Sequence, residues 1–488
     1  MVPVELQLLV LDQLYFLDSD NSHRSLTNGT LVCRSYHAHL QPKIYHTLSV
    51  SSPQRYNRLL QQLYNMKLVK CLDLSAYTSM GSGWTDAKAK TVINAESLAL
   101  LIRSCSQLET LLLGDAFGNI IDSSVLSFIF SRPKLSGLDL VACSSPMFAK
   151  SMAVTMGNLQ TASNQVSESD EPRAYSSGTD PSVPQHLDED SAISDDPTKS
   201  LCSSPSSSRR GSWDVACSSA ITNDDVVTLP PSLDNLSLHM CSSLSESSVL
   251  VPLLSSLSAL NKVDLSHTKI TTSTLWNIAP DALTELSLRY CRGLTCCNAG
   301  LPYLLARFQK LTYLNLAMDP NLGGSRFCES CLAHLMSNIT PQLKTLDISG
   351  SFELNDVHLN AIPQNHQLEK LSIAHCRGIT LEAVLKLIKR SPRLSYINVA
   401  GVTSVEMTLP SLMRLLESQS LAVTEISDQV CNVLPSTVCG WQKSRHGRRC
   451  YLYSATGSAA KPELTHPYKL SIASDTLSPL AKYWSFAV

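Results

Sequence analysis

Sixteen cysteines in 488 residues are the side chains best equipped for chemistry here, and their spacing decides which chemistry is open to them. Cys328-Glu329-Ser330-Cys331 with His334 has zinc-like spacing, and Cys296-Cys297 lies one segment earlier. A zinc module normally takes four ligands in paired spacing, and that pairing is absent along this stretch. Phe327, Cys331, Leu332 and Leu335 read instead as the inner face of a helix, so neither a metal nor a cofactor is expected. A catalytic thiol would require a partnered base, and no cysteine is singled out by one. The phosphate-binding Walker loop, the dinucleotide fingerprint and the HExxH zinc motif are all missing. No catalytic residue is assigned, and a non-enzyme is expected. Ser204-Pro205 and Arg209-Arg210-Gly211-Ser212 have the form of kinase acceptors, which makes Ser204 and Ser212 candidates for phosphorylation. The same stretch reads equally well as an unmodified, solvated linker.

The bulk composition narrows the partners. Basic and acidic residues nearly balance, 39 against 41, which argues against nucleic acid or a membrane surface as the main partner. Glu5 and Asp12 interrupt the first apolar stretch, so the N-terminus does not read as a secretory signal. No uncharged apolar run of about 18 residues suggests a membrane span. The cysteines are then expected to be reduced and mostly buried, in a cytoplasmic or nuclear protein.

The elements that would carry any site come from a repeat. The pattern L-x-x-L-x-L fits ten times, beginning at Val69, Leu108, Leu135, Leu233, Leu260, Leu283, Leu311, Leu343, Leu368 and Leu394. From Leu233 the steps are 27, 23, 28, 32, 25 and 26 residues. In a strand, alternate side chains face opposite ways, so the paired aliphatics point inward and the residues between them outward. Segments such as 381–391, with Thr380 as N-cap, have helical spacing and would return the chain to the next strand. Three residues beyond the last strand position stands Cys143, Cys241, Cys291 or Cys376. The sequence resembles the cysteine-containing subclass of leucine-rich repeats. That resemblance implies an α/β solenoid, a horseshoe with parallel strands on its concave face, in which the turn cysteine is structural.

Residues 1–48 stand outside the repeat. Val2-Pro3-Val4-Glu5-Leu6, Leu31-Val32-Cys33-Arg34-Ser35-Tyr36 and Pro42-Lys43-Ile44-Tyr45 occur in the order of an F-box. The segment resembles that small all-α motif, with Tyr36 in place of its tryptophan and Val2 in place of its leucine. The resemblance, which extends to fungal-type F-box substrate receptors, implies docking on the Skp adaptor and cullin scaffold of an SCF ubiquitin ligase. Pro3, Leu6, Val10, Leu11, Leu14, Leu31, Val32 and Tyr36 would serve adaptor binding, divided between the motif's own core and the interface. The solenoid would then hold an unknown protein substrate. A scaffold or inhibitor without a ubiquitin link is the alternative.

The rest of the chain divides around an interruption. A linker helix and the first repeats occupy 49–162, and the regular pattern resumes over 229–432. Residues 163–228 turn Ser-rich and acidic; from 151 to 228 there are twelve acidic and four basic side chains. Such a stretch has too little apolar surface to offset its ordering entropy and reads as a disordered insertion. Residues 433–488 read as a C-terminal cap or tail. On the outward face the strands place a ladder of Asp, Asn and Ser suited to a basic or donor-rich partner. His267, Arg289, Tyr290 and His375 stand out there as an anchoring cluster for substrate, because Arg and aromatics dominate hot spots.

Overall fold

The computed structural model describes residues 4–17, 24–50, 52–76, 93–168, 229–297, 300–321, 327–406, 408–418, 421–446 and 449–454. The chain divides into two compact units, Met1–Gln160 with Val227–Val488, and Thr161–Val226. The architecture below is that of the first. Ser204, Ser212 and most of the acidic insertion lie outside the described residues.

Three helices open the chain: α1 (Val4–Leu17), α2 (Arg24–Thr30) and α3 (Arg34–Ile44). After them a sheet of 15 strands runs through the unit. Its strands are β1 (Thr47–Ser49), β2 (Cys71–Leu74), β3 (Thr110–Leu113), β4 (Gly137–Leu140), β5 (Asn235–Ser237), β6 (Lys262–Asp264), β7 (Glu285–Ser287) and β8 (Tyr313–Asn315). There follow β9 (Thr345–Asp347), β10 (Lys370–Ser372), β11 (Tyr396–Asn398), β12 (Val423–Ile426), β13 (Thr437–Val438), β14 (Trp441–His446) and β15 (Arg449–Ser454). Strands β1 to β12 pair in chain order, each parallel to the next, and the sheet does not close on itself.

The register follows from the aliphatic pattern. Leu236, Val263, Leu286, Leu314, Leu346, Leu371 and Ile397 stand opposite one another across successive strands, and all are buried. A slip by one residue would expose that entire row. The interruption does not disturb this order: Leu138 of β4 pairs directly with Leu236 of β5. Between strands the chain returns through short helices. In Leu381–Arg390, Leu381, Val384, Leu387 and Ile388 are buried on one face, and Thr380 caps the helix by accepting from the Ala383 amide. The helix entering the interruption, Pro146–Glu168, is the longest described.

Two of the parallel strands escape the ten-fold sequence pattern. β1 precedes its first match, and β12 follows its last. Beyond β12 the direction reverses. β15 pairs antiparallel with β12, then β14 and β13 follow, so the free edge of the last parallel strand is taken by a hairpin of the same chain.

Candidate functional site: an apolar head and the open face of the sheet

Among its described residues, the three-helix head has a very small core. Leu11 and Leu40 are buried, with Leu8, Tyr36 and Ile44 packed against them. Gly29 lets α2 come close: a Cβ there would lie 2.9 Å from Leu40. Polar ties do the rest. The Tyr36 hydroxyl donates to Gln7 at 2.6 Å, and Asp12 meets His39 at 2.6 Å as well as Lys43. Lys43, then His39, hold the Asp12 carboxyl below the usual range. Asn65 reaches back to the Tyr45 hydroxyl at 3.1 Å, tying the head to the first turn of the repeats.

Five other described aliphatics of the head face outward. Leu6, Leu9 and Val10 on α1 are more than half exposed, and Leu31 and Val32, between α2 and α3, are 80% and 68% exposed. Of the eight residues assigned above to adaptor binding, Leu6, Val10, Leu31 and Val32 are thus free to meet a partner. Leu11 is corrected: α1 turns it into the head's own core. Tyr36 is likewise half-buried against α1. Pro3 and the Leu14 side chain lie outside the described residues. Val4 and Leu9 join the exposed set, a placement that sequence spacing did not single out.

On the face of the sheet opposite the aliphatic row, the structure gives the Asp and Asn ladder a different role from the one expected. Asp73, Asp139, Asp264, Asn315, Asp347 and Asn398 are buried. Each turns its Oδ1 back onto the amide two residues on, at 2.9 to 3.2 Å. The strand exit leaves that N–H without a ladder partner, and a short side-chain acceptor satisfies it. The ladder therefore caps strands and is not a charged surface offered to a basic ligand.

One residue further on, the backbone enters the left-handed region at Ala142, Met240, His267, Tyr290, His375, Gly350 and Gly401. Glycine is the natural occupant there, since a Cβ costs about 1–2 kcal/mol. In His267, Tyr290 and His375 the left-handed turn carries a large side chain to the open face. Three residues beyond the last aliphatic position of four repeats, the turn cysteines close the repeat from beneath. The Cys241 and Cys291 thiols donate to the carbonyls of Leu140 and Leu265, each at 3.0 Å. Burial pushes the Cys376 thiol up to about 12, which makes it inert.

Of the four proposed anchors, three meet. The His267 and Tyr290 rings stand edge to face at 4.7 Å. The Arg289 guanidinium lies 4.5 Å over the Tyr290 ring. His239 extends the row, 5.2 Å from His267. Arg289 itself is buried, so as a directly exposed anchor it is corrected: it braces Tyr290 from beneath. Burial, then the charges of His239 and Arg289, push His267 down to about 3, leaving a neutral ring. His375 stands apart from these three but lines the same hollow of about 800 Å³ as Tyr290, with Met318, Phe352, Asp347 and Arg449. At its far wall Arg449 forks onto Glu425, with Nε at 2.7 Å from Oε1, and its Nη2 also reaches the Tyr396 hydroxyl at 3.1 Å.

The cysteines set aside in the sequence as unpaired are brought together. Cys296 and Cys297, in the segment after β7, and Cys328 and Cys331, at the start of helix Glu329–Ser337, place four Sγ atoms all within 4.8 Å of one another. Spacing along the chain missed this because the second pair comes from the neighbouring repeat. Phe327, Leu332 and Leu335 are buried as an inner helix face would be. His334 is not part of the thiol group; its ring packs 4.4 Å from Tyr303.

Among the described residues no helix is long and apolar enough to cross a membrane. No family model matches the chain, and no curated protein matches it. Solved structures do. The leucine-rich repeat-containing protein LegL7 from Legionella pneumophila is 13% identical, covers 72% of this chain and 90% of its own, and has a TM-score of 0.34. A chain of the Rad7 and Elc1 complex in yeast is 14% identical over 86% of this chain and 92% of its own, with a TM-score of 0.41. A chain of the TLR13-ssRNA13 complex is 19% identical over 36% and 23%, with a TM-score of 0.24. It is the internal geometry that defines the fold: one parallel strand and one helical or turn return per step, repeated in register along the sheet, make the chain a leucine-rich-repeat solenoid.

Proposed function

We propose that this protein is a non-catalytic substrate receptor of an SCF-type ubiquitin ligase. Its N-terminal head, an F-box, docks on a Skp-type adaptor and through it on the cullin. The open face of the sheet, around Tyr290 and His375, holds the protein to be ubiquitinated. The observation that carries this reading is the imbalance of the head. Among the described residues its core buries two leucines, while Leu6, Leu9, Val10, Leu31 and Val32 are left more than half exposed. A unit of about 45 residues with so small a core gains stability by covering that surface with a partner. The chain's contribution to ubiquitin transfer is then positional, holding substrate near a ligase at high effective concentration.

The test is capture of a purified Skp-type adaptor. Leu31→Asp with Val32→Asp should abolish it, because two carboxylates would be desolvated in an apolar interface. Both side chains are exposed in the free protein, so stability should change by no more than about 0.5 kcal/mol. Retained capture by this double variant, or no capture by the parent chain, would sink the proposal and favour a solenoid scaffold with no ligase link.

A further inference from the structure

We propose that Cys296, Cys297, Cys328 and Cys331 form a mononuclear zinc site that clips two adjacent repeats together. A tetrahedral zinc with Zn–S bonds of about 2.3 Å requires sulfur–sulfur edges of about 3.8 Å. The Cys297 sulfur lies 3.4 Å from Cys296, 3.3 Å from Cys328 and 3.8 Å from Cys331. No pair is at bonding distance; a disulfide needs about 2.0 Å. Four soft sulfurs gathered around one point are what a single soft divalent ion requires. An iron–sulfur cluster inserts its own irons and sulfides between the thiolates and would hold them further apart than this.

The surroundings fit thiolate ligands. Cys328 is the N-cap of a nine-residue helix but makes no side-chain capping bond, so its sulfur is available. The Cys328 amide donates to the Cys296 sulfur at 3.2 Å, and the Ser330 hydroxyl lies 3.3 Å from the Cys328 sulfur. Donors of this kind orient ligands and spread the negative charge that four thiolates leave on a zinc ion. Both Cys328 and Cys331 belong to the first turn of a helix, where the helix dipole favours anions. On the other side, Thr295 and Thr272 exchange hydrogen bonds at 3.2 and 3.3 Å, fixing the backbone that leads into the Cys296-Cys297 pair. All four thiols are at least partly accessible, which leaves an entry path for an ion.

The location explains the need. The step from Leu311 to Leu343, at 32 residues, is the longest after the interruption. At its turn position stands Asp319, where four other repeats have a buried cysteine, Cys143, Cys241, Cys291 or Cys376. The long repeat lacks this turn thiol, and a thiolate clip from the helix at its far end to the preceding repeat would fasten it instead.

The experiment uses the full chain, purified reduced and without a polyhistidine tag, then equilibrated with zinc and desalted. One zinc ion per chain is expected, with Cys296, Cys297, Cys328 and Cys331 protected from alkylation while exposed Cys439 reacts. Cobalt in place of zinc should give thiolate-to-metal charge transfer and intense tetrahedral ligand-field bands. Cys297→Ser with Cys331→Ser should lose the ion and the spectrum, and Cys439→Ser should keep both. Zinc content no higher in the parent than in the double variant would overturn the proposal. So would alkylation of all four thiols in the zinc-treated chain, an octahedral cobalt spectrum, or purification with iron and labile sulfide. If the double variant does not fold, the alkylation pattern and cobalt spectrum of the parent chain decide alone.

Discussion

Asp347 and Asp264 occupy the same place in different repeats, each buried and each capping its strand exit through Oδ1. Their surroundings differ. Burial pushes the Asp347 carboxyl up to about 6 from the ordinary 3.8, against the pull of Ser349 and the more distant Arg289 and Arg449. For Asp264 burial acts the same way, but His239, 3.6 Å away, together with Ser266 outweighs it and holds the carboxyl down. Between pH 4 and 6 the folded chain keeps a proton on Asp347 that the unfolded chain has released. Stability must therefore fall as pH rises through that window and stay low above it. A gap of about two pH units, at about 1.4 kcal/mol each, is a penalty on the order of 3 kcal/mol at pH 7. Asparagine removes it without loss of the cap, because Asn315 and Asn398 already make the same bond in neighbouring repeats. Asp347→Asn should therefore raise the urea midpoint at pH 7, and the gain should shrink to nothing near pH 4. Asp264→Asn should lower the midpoint at pH 7. If Asp347→Asn is destabilising at neutral pH, or its effect does not change with pH, the account of the ladder as a set of desolvated caps is wrong.

Three further outcomes follow from packing and charge. Glu425→Ala strands the buried Arg449 guanidinium and should cost about 3–5 kcal/mol, seen as faster amide exchange in β12, β14 and β15, whereas Glu425→Leu with Arg449→Met should restore most of it. Gly378→Ala places a Cβ 2.7 Å from the Leu354 carbonyl oxygen, where backbone must yield, and should cost about 1–3 kcal/mol in a thermal melt; Gly157→Ala, with nothing within 4 Å, should instead stabilise its helix by about 0.5–1 kcal/mol. Asp12 is held down by Lys43 and His39, so the head gains stability above pH 4 and loses it as pH falls through the lowered value; amide exchange in α1 and α3 should rise on acidification below pH 4, and Asp12→Asn should flatten that dependence.

The repeat was legible because one constraint, aliphatics inward at alternate strand positions, is imposed again at every step. Even Thr380 as a cap could be read from its place before Leu381. β1 and β12 were not legible, because the terminal strands are flanked on one side by a different element and relax the pattern. In the head, the sequence offers eight apolar positions but not the angle between α1 and α3, and that angle sends Leu11 inward and Val10 outward. On the open face, Asp and Asn alternate with Ser as a polar surface would; that their oxygens bend back to cap a strand is a matter of backbone geometry at the exit. The thiol group was hidden for a topological reason. Residues 31 apart in sequence, Cys297 and Cys328, become neighbours only once successive repeats stack.

The left-handed turn after each strand has a consequence for how such a protein can change its ligand. Met240, His267, Tyr290, Gly350 and His375 occupy equivalent sites on one backbone path, and each amide there is already bonded to a carbonyl of the next repeat. Where the site already carries a side chain, as at Met240, His267, Tyr290 and His375, that side chain is consequently a free letter, whereas at Gly350 a Cβ would lie 2.3 Å from the Met318 carbonyl oxygen. Exchanging one peg for another alters what the face reads at a single rung and leaves every pairing above and below it in place, so recognition can be rewritten rung by rung while the framework stays put.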